Sequence, residues 1–146
     1  MMARSDFRFS YPKRVRYSEI DAQAVVFNAR YLDYLDIAMT EYLRAAGVPD
    51  PGGAEGLAQF VIARTTIDYK ASIRLEEVVD LCVRLVRAGR TSLTFAFEFH
   101  GHGKGEDLRA LGETVQVHIG ADRAPSPLPD DYVALFERYE GRSLRA

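Results

Sequence analysis

The sequence predicts an α+β fold in which one long helix is covered by a five-stranded antiparallel sheet. Two observations carry this. Helical periodicity of any length occurs once, over 29–46, where Tyr31, Leu32, Leu35, Ala38, Met39, Tyr42, Leu43 and Ala46 recur at the spacing of one helix face. After residue 60 the period becomes two, in runs joined by short turns, as consecutive strands of an antiparallel sheet require.

Each element follows in order. Residues 11–19 alternate as a strand, with Val15 and Tyr17 on one face and Pro12 marking an edge or bend. A connector over 20–27 leads into the helix, with Asn28 as the expected N-cap, and Gly47 and Pro49 end it. A Gly- and Pro-rich loop over 49–56 precedes the β-branched and aromatic run 60–69. Val79, Leu81, Val83 and Leu85 form the next alternation, Gly89-Arg90 a tight turn, and Leu93, Phe95, Phe97 and Phe99 the clearest strand. A turn over 101–107 leads to a last strand, 111–119, and Pro125, Pro127 and Pro129 stiffen the approach to a short amphipathic helix over 130–140. No repeat or linker divides the 146 residues, so one domain is expected over 1–146.

Composition narrows the function. A net charge of −2 gives no general attraction for nucleic acid, so an anionic ligand would need a local basic cluster. No apolar run is long enough to span a bilayer, and residues 1–9 lack a signal sequence's apolar core. Cys82, the single cysteine, sits in an apolar run and reads as a buried, inert thiol. A reduced, cytoplasmic protein is expected.

The chemistry concentrates in the connector. Asp21 precedes a helix start, where unpaired backbone N–H groups and the positive end of the helix dipole suit an oxygen that gains charge when a carbonyl is attacked. A carboxylate is ionised at neutral pH and serves as nucleophile or general base. On position alone, Asp21 reads as a turn or capping residue and Asn28 as a cap.

The run Arg14-Val-Arg-Tyr-Ser-Glu-Ile-Asp21, followed by Val25-Val-Phe-Asn28-Ala-Arg-Tyr31, resembles the signature of the 4-hydroxybenzoyl-CoA thioesterase family. Glu19, Asp21, Asn28 and Tyr31 match that signature in identity and spacing. Ile67-Asp-Tyr69, the 79–99 segment with Gly89-Arg90-Thr91-Ser92-Leu93-Thr94 at its turn, Gly112-Glu113-Thr114 and 125–129 extend the resemblance over 9–139. It implies a hotdog fold and hydrolysis of an acyl-CoA to acid and CoA. Asp21 would attack the thioester or activate water, and the N–H of Asn28 would polarise the carbonyl. CoA would enter as part of the substrate, without a further cofactor or metal, in a homodimer or homotetramer with sites at the subunit interface. Two positions depart from the family: Ala24 replaces its usual glycine, and Lys70-Ala-Ser72 lacks its usual proline.

Other residues carry weaker expectations. Tyr31 suits core packing or a substrate contact, and Glu19 either positions the site or pairs with Arg14 or Arg16. For the phosphates of CoA, Lys70, Arg87 and Arg90 are candidate cations, with Thr91 and Ser92 as hydroxyl donors. Asp36, on the polar side of the helix, is the alternative acidic catalyst. His100 and His102 read as exposed turn residues, too few for a metal site, and His118 as half-exposed. A non-catalytic acyl-CoA or acyl-carrier binding module on the same fold is the alternative function. Enoyl-CoA hydration fits less well, for want of a histidine between Asp21 and Tyr31.

Overall fold

In the computed structural model, which describes residues 2–145, the expected apolar stripe becomes the long helix. Helix α1 spans Arg30–Ala46 and buries Tyr31, Tyr34, Leu35, Ala38, Met39, Tyr42, Leu43 and Ala46. The stripe sits slightly round from the expected one: Tyr34 is inside and Leu32 stays 51% exposed. Gly47 closes the helix at φ 96°, its N–H reaching the carbonyls of Arg44 and Leu43.

Strands β1 (Phe9–Arg14), β2 (Phe60–Tyr69), β3 (Val78–Ala88), β4 (Ser92–Gly101) and β5 (Leu108–His118) form one antiparallel sheet in the order β1-β3-β4-β5-β2. β1 is therefore an edge, which is why it tolerates Pro12. Helix α1 packs against β1 and β3, while α2 (Asp130–Glu140) closes the core where Phe136 stacks on Tyr42 at 6.0 Å. This is the α+β architecture expected: a five-stranded antiparallel sheet carrying a long helix.

The first strand differs from expectation. It ends at Arg14, and Tyr17–Glu19 form a 3₁₀ turn that leaves Val15 buried and Tyr17 81% exposed. The turn wins because the Glu19 carboxylate accepts the N–H of Arg16 at 2.8 Å, a bond no extended chain could make. Asn28 is not a side-chain cap either; the cap position falls on Ala29, and no side chain serves it.

β4 is buried on both faces. On the outer face Met2 borders Ala96 and Glu98 of β4, while Arg4 pairs with Asp80 of β3 at 3.6 Å and the carbonyl of Asp6 accepts from Arg84 of β3 at 3.2 Å. His100 is consequently no turn residue. It is fully buried, with Nε2 2.8 Å from Glu98 and Nδ1 accepting the N–H of Asp107 at 3.1 Å. His102 stays exposed beside Asp80 at 2.7 Å, and His118 is half-buried, as expected. Cys82 is fully buried on β3, and burial pushes its thiol up to about 12.

Candidate active site

The connector between β1 and α1 is a tight turn held at both ends. The N–H of Asp21 donates to the carbonyl of Val25 at 2.9 Å, and the N–H of Ala24 returns to the carbonyl of Asp21 at 3.0 Å. Asp21 Oδ1 accepts the N–H of Gln23 at 2.8 Å, which orients the carboxylate. Val26 then docks its N–H on the carbonyl of Ile73 at 2.8 Å, anchoring the turn to the segment that enters β3.

This geometry needs a left-handed residue, and Ala24 supplies it at φ 62°. The family glycine would fit there without strain; alanine keeps the same turn against a steric cost of about 1–2 kcal/mol. The replacement thus preserves the shape of the connector at the expense of stability.

Asp21 lines a cleft of about 330 Å³ together with Val25, Val26, Asn28, Tyr31, Tyr69, Lys70, Ala71 and Ser72. The structure therefore brings together four residues named from the sequence, Asp21, Asn28, Tyr31 and Lys70. At the helix start, the N–H groups of Arg30 and Tyr31 go back to the carbonyls of Phe27 and Asn28. Among the described residues, no acceptor takes the N–H of Asn28 or of Ala29. Both precede the first helical residue, Arg30, and Asn28 lines the cleft together with Asp21.

Tyr69 bonds the neighbouring Asn28–Ala29 peptide: its hydroxyl donates to the carbonyl of Asn28 at 3.1 Å, and its ring meets Tyr31 edge-on at 4.8 Å. Sequence reasoning placed Tyr69 only within a matching strand; its inward alternation with Thr65 and Ile67 at the end of β2 was the available signal. Tyr31 is buried against Tyr34, Tyr69 and Phe99, and burial raises its hydroxyl above the ordinary tyrosine value.

Glu19 lies outside the cleft and points inward. Its carboxylate takes Lys13 Nζ at 2.9 Å, the Tyr34 hydroxyl at 2.7 Å and the N–H of Arg16, while its carbonyl accepts the N–H of Phe27 at 2.9 Å. Its salt bridge is with Lys13, not with Arg14 or Arg16. Desolvation alone would raise its pKa, but the Arg16 N–H, the Tyr34 hydroxyl and Lys13 together hold it below the usual glutamate value.

The hairpin cations stand elsewhere. Arg87, Arg90, Thr91 and Ser92 lie at the β3–β4 turn, whereas the cleft adjoins the opposite end of β3, where Val25 bridges to Arg74. Eleven residues of strand separate the two ends, about 35 Å at ~3.3 Å per residue. One protomer does not bring these four residues to Asp21.

Asp36 is exposed, as expected, but it borders a separate apolar cavity of about 340 Å³ with Leu32, Met39, Phe60 and Ile62. It sits mid-helix, where the neighbouring N–H groups are committed to the helix, so no orphan donor accompanies it. Among the described residues, no group of three or more His, Cys, Asp or Glu side chains is placed to hold a metal, and no helix is long and apolar enough to cross a membrane.

A carboxylate in a strained turn and a backbone amide without an acceptor, just before a helix, share one cleft on a five-stranded antiparallel scaffold, a combination chemically suited to acyl transfer. The chain belongs to the thioesterase-like superfamily, whose family model matches residues 15–136. Over 133 residues it is 31% identical to the acyl-CoA thioester hydrolase YbgC of Escherichia coli O6:H1, covering 89% of this chain and 96% of that protein. It is 37% identical over 75 residues to the acyl-CoA thioesterase YbgC of Haemophilus influenzae, covering 51% of this chain and 55% of that one. Among solved structures, a thioesterase from Thermus thermophilus complexed with coenzyme A and zinc superposes with a TM-score of 0.82 at 30% identity, covering 95% of this chain and 98% of that one.

Because Ala24 carries the strain, Ala24→Gly is expected to raise the unfolding free energy by about 0.5–1 kcal/mol, read as a higher midpoint in urea. A lower midpoint would show that the turn does not require the left-handed conformation.

Proposed function

We propose that the protein hydrolyses an acyl-CoA thioester to the free acid and CoA. The observation that carries the reading is the shared cleft of the Asp21 carboxylate and the unpaired N–H of Asn28. It is supported by membership of a thioesterase family and by relatives named for acyl-CoA hydrolysis.

The substrate carbonyl sits between the two groups. In the general-base form, Asp21 takes a proton from water as the water oxygen bonds to the carbonyl carbon. In the nucleophilic form, a carboxylate oxygen makes that bond itself, giving an acyl anhydride that water opens. Either way the carbonyl oxygen becomes an oxyanion facing the Asn28 N–H, and the C–S bond breaks with the electron pair leaving on sulfur, which is protonated as free thiol. A single oxyanion donor is worth about 10²–10³ in rate. Tyr69 serves by holding the Asn28–Ala29 peptide, next to the one that carries the donor.

The working unit is a homodimer formed through β2. This ten-residue edge strand exposes Val61 and Ile62 beside the exposed Leu32 of α1, and a long apolar edge demands cover. A second copy pairing antiparallel would lay its Phe60 end beside this chain's Tyr69 end. Since Phe60 pairs with His118, and the N–H of His118 bonds to the carbonyl of Thr91, the partner's β3–β4 hairpin would then lie at the cleft end. That is how Arg87, Arg90, Thr91 and Ser92 would approach a CoA reacting at Asp21.

Asp21→Asn is expected to lower thiol release from acyl-CoA at least about 100-fold with the thermal midpoint little changed; wild-type turnover would overturn the assignment. Thiol release from none of a panel of short, long, branched and aromatic acyl-CoAs, despite saturable binding, would favour a binding module instead. In sedimentation velocity the protein is expected to run as a dimer or a dimer of dimers, and Ile62→Asp to shift it toward monomer. A wild-type monomer would remove the interface.

A further inference from the structure

In either form of the reaction the sulfur of the departing CoA ends as a thiol, so a proton reaches it as the C–S bond breaks. Few of the groups that line the Asp21 cleft can give one. Asp21 is the base or nucleophile, and the Asn28 side chain is a neutral amide. The Tyr69 hydroxyl already donates to the carbonyl of Asn28 at 3.1 Å. Burial raises the Tyr31 hydroxyl above the ordinary tyrosine value, which makes it a poorer acid. Ser72 offers an alcohol, a weaker acid than a phenol. Lys70 remains, the one cation among the residues that line the cleft, with N–H donors and no acceptor.

The backbone of Lys70 is fixed and its ammonium is uncommitted. Its N–H and that of Ala71 both bond to the carbonyl of Arg109, at 2.8 and 3.1 Å, which pins the chain beyond β2 to β5. Tyr69, the residue before it, is tied to Asn28, so Lys70 and the peptide next to the candidate oxyanion donor belong to one hydrogen-bonded unit. Lys13 is held by Glu19 at 2.9 Å, and Arg109 by Glu77 and Asp107 at 2.8 Å; among the described residues, no carboxylate or carbonyl takes the Lys70 ammonium in this way. Its place matters as much as its charge. The phosphates of CoA lie at the far end of the pantetheine arm from the sulfur. A cation that shares a cleft with Asp21 therefore stands at the thioester end.

We propose that Lys70 is the general acid of the reaction, its ammonium giving a proton to the sulfur as the C–S bond breaks. The inference rests on the hydrolase reading above and adds the acid that complements Asp21. As the tetrahedral intermediate collapses, the electron pair of the C–S bond goes to sulfur. An Nζ–H bond breaks, an S–H bond forms, and Lys70 is left as a neutral amine. Water restores it: in the general-base form Asp21 passes on the proton it took from the attacking water. In the nucleophilic form the amine takes a proton from the water that opens the anhydride. Thioester and water thus become acid and thiol, with Asp21 and Lys70 back in their starting forms. One cleft then holds a base and an acid of opposite charge, the division of roles that acyl hydrolysis needs.

The test varies the leaving group. One carboxylic acid is esterified to three thiols: CoA, N-acetylcysteamine, which carries no phosphate, and a nitro-substituted thiophenol, an acidic thiol that departs as thiolate without protonation. kcat/KM is measured with each ester for the parent protein and for Lys70→Met. The variant is expected to lose at least about tenfold with the CoA and N-acetylcysteamine esters and to stay within about twofold of the parent with the aryl ester. Lys70→Arg, which keeps the charge but does not release a proton, is expected to follow the Lys70→Met pattern. A loss confined to the CoA ester would put Lys70 on a phosphate, and an equal loss with all three would make its role structural. No loss with the CoA ester, or an arginine variant as fast as the parent, would remove the proton transfer. Each of these outcomes would overturn the proposal and leave hydrolysis standing. A parent that cleaves none of the three esters would overturn the hydrolase reading and the proposal together.

Discussion

Glu19 holds four separate pieces of the chain at one point. Its carboxylate bonds Lys13 on β1, the Arg16 amide in the turn and the Tyr34 hydroxyl on α1, and its carbonyl takes the Phe27 amide at the end of the connector. The candidate catalytic groups sit immediately beside these anchors: Asp21 two residues after Glu19, Asn28 one residue after Phe27. A carboxylate with this many donors resists protonation and movement, so the spacing between Asp21 and the Asn28 amide is set by a structural ion outside the cleft. Lys13 also lies over the Tyr34 ring at 5.1 Å, coupling the clamp to the core.

Within that clamp the connector stores a modest strain. Ala24 holds φ 62° because its carbonyl must meet the Leu75 amide at 3.2 Å while its own amide closes back on Asp21. Strain of this size persists where the surroundings over-determine the backbone, and here two docking points, Val25 on Arg74 and Val26 on Ile73, do so.

Much of this was legible in the sequence, for identifiable reasons. The helix and the later strands are long, periodic and mutually consistent, so local pattern and final packing agree. The grouping of Asp21, Asn28 and Tyr31 followed from a matched spacing, and position alone would have left Asp21 a turn residue. The end of the first strand was hidden because the turn that replaces it is held by the Glu19 bond to the Arg16 amide and by Tyr34 on α1, neither of which an alternation of apolar residues reveals. His100 looked exposed because the strand carrying it runs further than its alternation shows and because residues 2–7 cover that face. The cations were legible as a chemical type but not as places: topology sends Arg87 and Arg90 to the far end of β3, away from the cleft that Lys70 lines.

In the proposed mechanism the Asn28 amide hydrogen takes charge from the thioester oxygen during attack at Asp21. Replacing the Phe27–Asn28 peptide by an ester removes that hydrogen and leaves every side chain in place. With the acyl-CoA that the unmodified protein cleaves fastest, the mechanism predicts a fall in kcat of about 10²–10³ with KM little changed. An ester-substituted protein that turns over at the unmodified rate would contradict it.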